Sequence, residues 1–228
     1  INNKAETATL EEIEKINDKR ILAKCEAVIW KKKSKTSFIE PSYRFTPEIL
    51  DLPDNIYIDG YFQSEKYFSE IKDVIRAEIT LKKPLPKKSE VLMERIEQEN
   101  SVSIHIRRGD YLLPKHQKVF LLCTEDYYKQ AVALIIMNVQ NPHFFVFSDD
   151  IVWARSVGFP DNTVYVNSDF ELKDYEELIV MSKCKHNIIA NSTFSWWGAW
   201  LNNNSEKIIV TPKKWFVDST KEEKDLIP

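Results

Sequence analysis

Glycine is scarce in this chain: Gly60, Gly109, Gly158 and Gly198 are the only four in 228 residues. A G-x-G-x-x-G fingerprint or a Walker-type loop needs several glycines at close spacing, so neither route to cradling phosphate is open here. Cysteine is sparse too. Cys25, Cys123 and Cys184 are odd in number, far apart and without metal-ligand spacing, which argues against a disulfide framework and a zinc site and favours reduced structural thiols. There is no basic excess, since 32 Lys and Arg stand against 35 Asp and Glu for a net charge of −3. Nucleic acid is therefore excluded as the main partner, and membrane association is not indicated. No apolar run approaches the roughly 20 residues that span a bilayer, and the charged, helical-looking stretch up to Arg20 is unlike a signal peptide.

What is present divides at "KKPLPKK", two prolines among lysines, which reads as a linker. Before it the pattern is irregular. "ATLEEIEKIND" reads as a capped helix and "EAVIW" as a short strand; "NIYIDGYFQSEKYFSEIKDVIRAEI" reads as a strand, a glycine turn and a helix with apolar positions Phe68, Ile71, Val74 and Ile75. After the linker, helices alternate with the strands "SVSIHI", "HFFVFS", "TVYVN", "HNIIAN" and "KIIVTP". That alternation predicts an α/β fold around a parallel, doubly wound sheet. Its strand C-termini fall along one edge, where such sheets bind ligands, and the clusters "RRGD", "DD", "SD", "STFS" and "KKW" converge there.

Three of these clusters carry chemistry. In "SVSIHIRRGDY", His105 and Arg107 share one side of the strand while Arg108 turns to the other. An arginine at a strand end offers a planar fork suited to phosphate; the bland reading is a surface pair with Asp110 closing a salt bridge, and the strand-end position favours the site. Gly109 lets the chain turn sharply behind the arginines. An adhesive Arg-Gly-Asp would need an exposed loop, whereas this one is joined to a core strand.

In "FFVFSDD", Ser148 or Asp149 could simply cap the next helix. A carboxylate of the Asp149–Asp150 pair could instead accept paired hydrogen bonds from N1–H and the exocyclic amine of guanine, which adenine cannot offer. Adjacent aspartates with no third acid make a poor cation site. In "NIIANSTFSWWGAW", Asn191, Ser192, Thr193, Phe194 and Ser195 lead into a helix whose N–H groups favour a phosphate; ordinary capping is the alternative. Trp196, Trp197 and Trp200 match one helix face and read as core. An arginine fork, a helix start and a base-reading carboxylate on one edge suit a nucleoside diphosphate held without a metal.

"HIRRGDY", "FFVFSDD" and "NSTFSWWGAWL", in that order and preceded by "YIDGYFQSEKYF", resemble the motifs of glycosyltransferase family 11, the α-1,2-fucosyltransferases of the fucosyltransferase superfamily. The resemblance implies a GT-B-like enzyme with a Rossmann-like C-terminal donor domain (84–228) and a smaller, truncated, acceptor-side N-terminal part (1–83). It implies inverting transfer of fucose from GDP-fucose to the 2-hydroxyl of a galactose-terminated glycan, without a cofactor or metal, in the bacterial cytoplasm. Arg107 matches the arginine on the β-phosphate, His105 and one of Asp149 and Asp150 match groups near guanine, and Ser192 to Ser195 match the phosphate loop. Arg107 and Asp110 are the catalytic candidates; Asp110 is one candidate base, a group in the family's absent opening segment is the other, and Arg108 and Asp110 also read as supporting the loop. The family's opening G-x-G-N-Q stretch is absent, from which we expect that the natural N-terminus lies outside this sequence. Two other readings stay open: a transferase using another GDP-sugar, and a non-catalytic nucleotide- or carbohydrate-binding module.

Overall fold

The computed structural model of the chain describes residues 7–17, 37–166, 168–218 and 225–226. The polypeptide divides into two compact units. Among described residues, one holds 7–17 and 37–72 with 225–226, and the other holds 73–166 and 168–218.

In the first unit, α1 (Leu10–Asn17) starts at a reciprocal cap: Glu12 N–H donates to Thr9 Oγ1 at 3.2 Å and Thr9 N–H to Glu12 Oε2 at 2.8 Å. These bonds hold the Glu12 carboxyl below its ordinary range. The expected strand "EAVIW" and Cys25 lie outside the described residues. β1 (Ser37–Ile39) pairs in parallel with β2 (Tyr57–Asp59). The long helix expected after Gly60 is instead two 3-10 turns, Glu65–Tyr67 and Ser69–Ile71, followed by α2 (Lys72–Glu78), which from Asp73 on belongs to the second unit. Phe68 takes φ −141°, ψ 17° and interrupts the helical path, and Ile71 and Val74 are left about half exposed.

The second unit is the regular one. α3 (Lys87–Gln98), β3 (Asn100–Ile106), α4 (Pro114–Gln117), α5 (Glu125–Asn138), β4 (Pro142–Ser148), α6 (Ile151–Ser156), β5 (Val164–Val166), α7 (Asp174–Lys183), β6 (His186–Ile188), α8 (Thr193–Trp200) and β7 (Ile209–Val210) follow one another. The five strands are all parallel in the order β5-β4-β3-β6-β7. The chain moves outward from β3 through β4 to β5, then returns past β3 to β6 and β7. This is the Rossmann-like pattern, with its order reversing between β3 and β6.

Alternation along β4 builds both faces. Phe144 and Val146 join Val102, Ile104, Ile106, Tyr128 and Ile135 on the α5 side, while Phe145 and Phe147 join Leu92, Ile96, Val180 and Met181 under α3 and α7. Each buried phenylalanine contributes on the order of 1.5–3 kcal/mol. β3 differs on its α7 side, where it presents Ser101, Ser103 and His105. Ser101 Oγ donates to Ile96 O at 2.7 Å, and Asn187 Nδ2 donates to Ser103 Oγ at 2.7 Å. Two of these three polar positions are thus satisfied within the fold. His105, at the strand end, is the exception.

Candidate functional site

His105 is 6% exposed, and its ring lies 5.3 Å from that of Phe194. Its Nδ1 is buried without a hydrogen-bond partner. Burial, with the Arg107 charge adding to it, pushes the imidazole down to about 3, so the ring is neutral at physiological pH. A buried polar nitrogen at a cleft costs free energy until something pairs with it.

The Arg107 guanidinium, next on the same side of the chain, is held by two carboxylates. Nη2 lies 2.6 Å from Asp110 Oδ1, and Nη1 lies 3.0 Å from Asp149 Oδ2. These ion pairs anchor the guanidinium at the cleft, where its planar fork suits phosphate oxygens. The backbone explains why Asp149 reaches so close. Its Oδ1 accepts from Arg108 N–H at 2.8 Å, and a Cβ at Gly109 would stand 2.7 Å from its Oδ2. Only glycine leaves room for that carboxylate. Asp110 Oδ2 also lies 3.4 Å from His116 Nδ1, so this side chain bridges Arg107 and His116.

Arg108 points elsewhere. Its Nε donates to Asp150 Oδ2 at 3.1 Å, and its guanidinium lies 4.0 Å from the Trp153 ring centroid. Asp150 in turn caps α6 by accepting from Trp153 N–H at 3.0 Å. This pair ties the β3 and β4 loops together and does not line the cleft.

The loop before α8 divides in the same way. Asn191 is buried, and its Nδ2 donates to Leu121 O at 2.6 Å and to Trp215 O at 2.8 Å. Ser195 Oγ accepts from Ala190 N–H at 2.9 Å. Both residues hold the loop in shape. Ser192, Thr193 and Phe194 face the cleft. Ser192 occupies the N-cap position, yet its hydroxyl makes no capping bond, which leaves first-turn N–H groups of α8 without the usual side-chain acceptor.

These groups surround a cleft of about 540 Å³ at the C-terminal edge of the sheet, where β3 and β6 diverge. His105, Arg107, Asp110, Asp149, Ser192, Thr193 and Phe194 line it, and Arg108, Asp150, Asn191 and Ser195 do not. The volume is within the range of small-molecule sites. Five lining residues lie outside the predicted site: Tyr111, Phe120, Ser148, and the acidic pair Asp174 and Glu177 on the first turn of α7. Burial raises the Glu177 carboxyl to about 7, with the Asp174 charge adding to it. The signal available was positional. Residues i and i+3 of a helix following a strand share a face at the ligand-binding edge, whatever the residue types.

Among the described residues, no three His, Cys, Asp or Glu side chains are grouped to hold a metal ion, and no helix is long and apolar enough to cross a membrane. Cys123 and Cys184 are buried free thiols.

The sequence profile of glycosyl transferase family 11 matches residues 16–227. Over 129 residues the chain is 46% identical to the O-antigen biosynthesis glycosyltransferase WbnK of Escherichia coli, covering 55% of this chain and 42% of that protein. Over 164 residues it is 40% identical to an alpha-1,2-colitosyltransferase of Escherichia coli, covering 69% of this chain and 55% of that protein. It is 25% identical over 166 residues to galactoside alpha-(1,2)-fucosyltransferase 1 of Saimiri sciureus, covering 68% and 45%. The chain thus spans about half the length of the curated relatives it matches.

Proposed function

We propose, because this chain belongs to glycosyl transferase family 11 within the fucosyltransferase superfamily, that it is part of an enzyme transferring a sugar with inversion from a GDP-sugar to a glycan hydroxyl. The division of labour goes with the proposal: residues 84–228 bind the donor, residues 1–83 lie on the acceptor side, and the pair works in GT-B fashion. The observation that carries it is His105 beside Arg107. A neutral imidazole with an open buried nitrogen and a guanidinium pinned by Asp110 and Asp149 lie together at the reversal point of the sheet.

In this reading Arg107 and the first turn of α8 bind the diphosphate. As the C1–O bond breaks and the sugar becomes cation-like, they stabilise the charge growing on departing GDP. Asp110 and Asp149 position Arg107. Asp110 Oδ1 lies 2.6 Å from that guanidinium, and Asp110 stays the candidate base for the acceptor hydroxyl. Guanine lies toward His105 and Glu177. Asp149 and Asp150 are each engaged by arginine and backbone N–H, so Glu177, the more buried of the two α7 carboxylates lining the cleft, is our candidate to accept from N1–H and the exocyclic amine.

For the donated sugar, relatives named for O-antigen biosynthesis and colitosyl transfer match at 46% and 40% identity, and a galactoside fucosyltransferase at 25%. We therefore favour a GDP-activated deoxy sugar other than fucose, with colitose first. Fucose is the second reading, because the galactoside fucosyltransferase covers as much of this chain as the colitosyltransferase does, 68% against 69%.

The test is calorimetric titration with GDP, GDP-fucose, GDP-colitose and ADP in EDTA, on wild type and Arg107→Ala, followed by product analysis with a galactoside acceptor. Guanine ligands should bind and ADP should not, and Arg107→Ala should lose GDP. Equal affinity for ADP would remove the base assignment. Binding without sugar transfer from either donor would leave only a binding module.

A further inference from the structure

The first unit contains a second organised polar and aromatic group that the donor site does not use. It centres on Glu40, just past β1. Glu40 N–H donates to Asp59 O at 2.8 Å; its Oε2 accepts from Tyr61 N–H at 2.8 Å and Phe62 N–H at 3.1 Å, and its Oε1 accepts from Tyr67 O–H at 3.1 Å. One carboxylate thus gathers two successive backbone donors and a phenol. Gly60 makes this approach feasible, since a Cβ there would stand 2.5 Å from Glu40 Cβ.

The segment is also strained. Phe62 has φ 45°, a left-handed conformation that a side chain resists at a cost of about 1–2 kcal/mol. Its ring is locked edge-on against Tyr67 at 5.4 Å. All of this fixes the residue between Gly60 and Phe62. That residue is Tyr61, whose side chain is not buried by the arrangement: it is 73% exposed and stacks on Tyr43 at 5.9 Å with the planes 27° apart. Single exposed aromatics are common and need no explanation. A strained, carboxylate-clamped loop that holds one phenol ring against a second ring and open to water is a different matter.

We propose that Tyr61 and Tyr43 form a stacking subsite for the terminal galactoside of the acceptor glycan. The inference rests on the glycosyltransferase reading and adds the place where that substrate is held. A pyranose has an apolar C–H face and a polar rim, which matches an amphipathic phenol pair beside a carboxylate. Galactose suits it better than glucose. Its axial 4-hydroxyl leaves H3, H4 and H5 together on one face, a continuous apolar patch for a ring to cover.

The experiment is a titration of the full chain with lactose and with cellobiose, followed by saturation-transfer NMR, for wild type, Tyr61→Ala and Tyr61→Phe. GDP affinity is measured on each protein. Tyr61 is mostly exposed, so alanine there leaves the packing intact. Wild type should bind lactose saturably, with transfer strongest at galactose H3, H4 and H5, and cellobiose more weakly. Tyr61→Ala should bind lactose about tenfold more weakly, and Tyr61→Phe within about threefold of wild type. GDP affinity should be equal in all three. No saturable lactose binding by wild type, or unchanged binding by Tyr61→Ala, overturns the subsite. Failure of the donor reading is separate, because it shows as loss of GDP binding in the wild type itself.

Discussion

Replacing Glu177 by glutamine and varying pH tests the base-reading assignment most directly. In the cleft the Glu177 carboxyl is raised to about 7 by burial and by Asp174. Guanine needs the ionised form, which can accept from N1–H and the exocyclic amine together. With half-ionisation near 7, roughly nine-tenths of the protein is competent at pH 8 and roughly one-tenth at pH 6, so donor affinity should fall about tenfold between them. GDP-fucose is the ligand to use, since its β-phosphate is esterified and carries no proton to lose in that range. In Glu177→Gln, one accepted hydrogen bond survives while the amide NH₂ meets a guanine donor. The loss is about 2 kcal/mol, or roughly 30-fold, and the pH dependence should flatten. The amide also complements adenine, so preference for GDP over ADP should collapse. Calorimetry at pH 6, 7 and 8 measures all three effects. A flat wild-type profile, or unchanged affinity in the glutamine variant, would refute the reasoning.

Three further substitutions separate binding from scaffolding. Gly109→Ala places a Cβ 2.7 Å from Asp149 Oδ2 and must displace the carboxylate that holds Arg107; GDP affinity should fall at least about tenfold with little change in melting temperature, both read on one sample. Arg108→Ala removes the Asp150 pair and the stack on Trp153. It should cost about 1–2 kcal/mol in urea unfolding and leave GDP affinity within about twofold. Asn191→Ala leaves the Leu121 and Trp215 carbonyls without their shared donor and should destabilise by about 2–3 kcal/mol in the same assay.

The donor-side sheet was legible because its signals are local and agree. Alternating Phe144 to Phe147 and the helix after each strand could form little else, and the parallel order then brought "HIRRGDY" and "NSTFS" to one edge. What the sequence concealed was direction. Asp149 and Asp150 are adjacent and alike on paper, yet one holds Arg107 while the other caps α6 and holds Arg108. Asn191 and Ser195 look like ligand-binding polar residues and are consumed by buried backbone groups. Glu177 was hidden for the opposite reason, since it reads as an ordinary charged position on a helix and becomes distinctive only through burial beside Asp174. Before the linker, apolar spacing suggested one helix where Phe68 breaks the path. Short 3-10 turns leave no periodic signature to read.

The charge of the cleft leads to a last, less intuitive expectation. Its lining contains one guanidinium, Arg107, and four carboxyl groups, Asp110, Asp149, Asp174 and Glu177. A diphosphate therefore enters a site whose side chains are negative on balance, in a chain of net charge −3. Close hydrogen bonds from Arg107 and the start of α8 must outweigh repulsion from groups farther away. Salt screens the two unequally, since the Debye length falls from about 14 Å at 50 mM to about 6 Å at 300 mM, which weakens the distant repulsion and largely spares the direct contacts. GDP-sugar affinity at pH 8 should thus hold constant or strengthen modestly as NaCl rises over this range, whereas a site built on basic excess would lose affinity. The slope of log Kd against log salt from calorimetry decides it. A steep loss of affinity with salt would mean that cations outside this cleft hold the phosphates, and that the Arg107 assignment is mistaken.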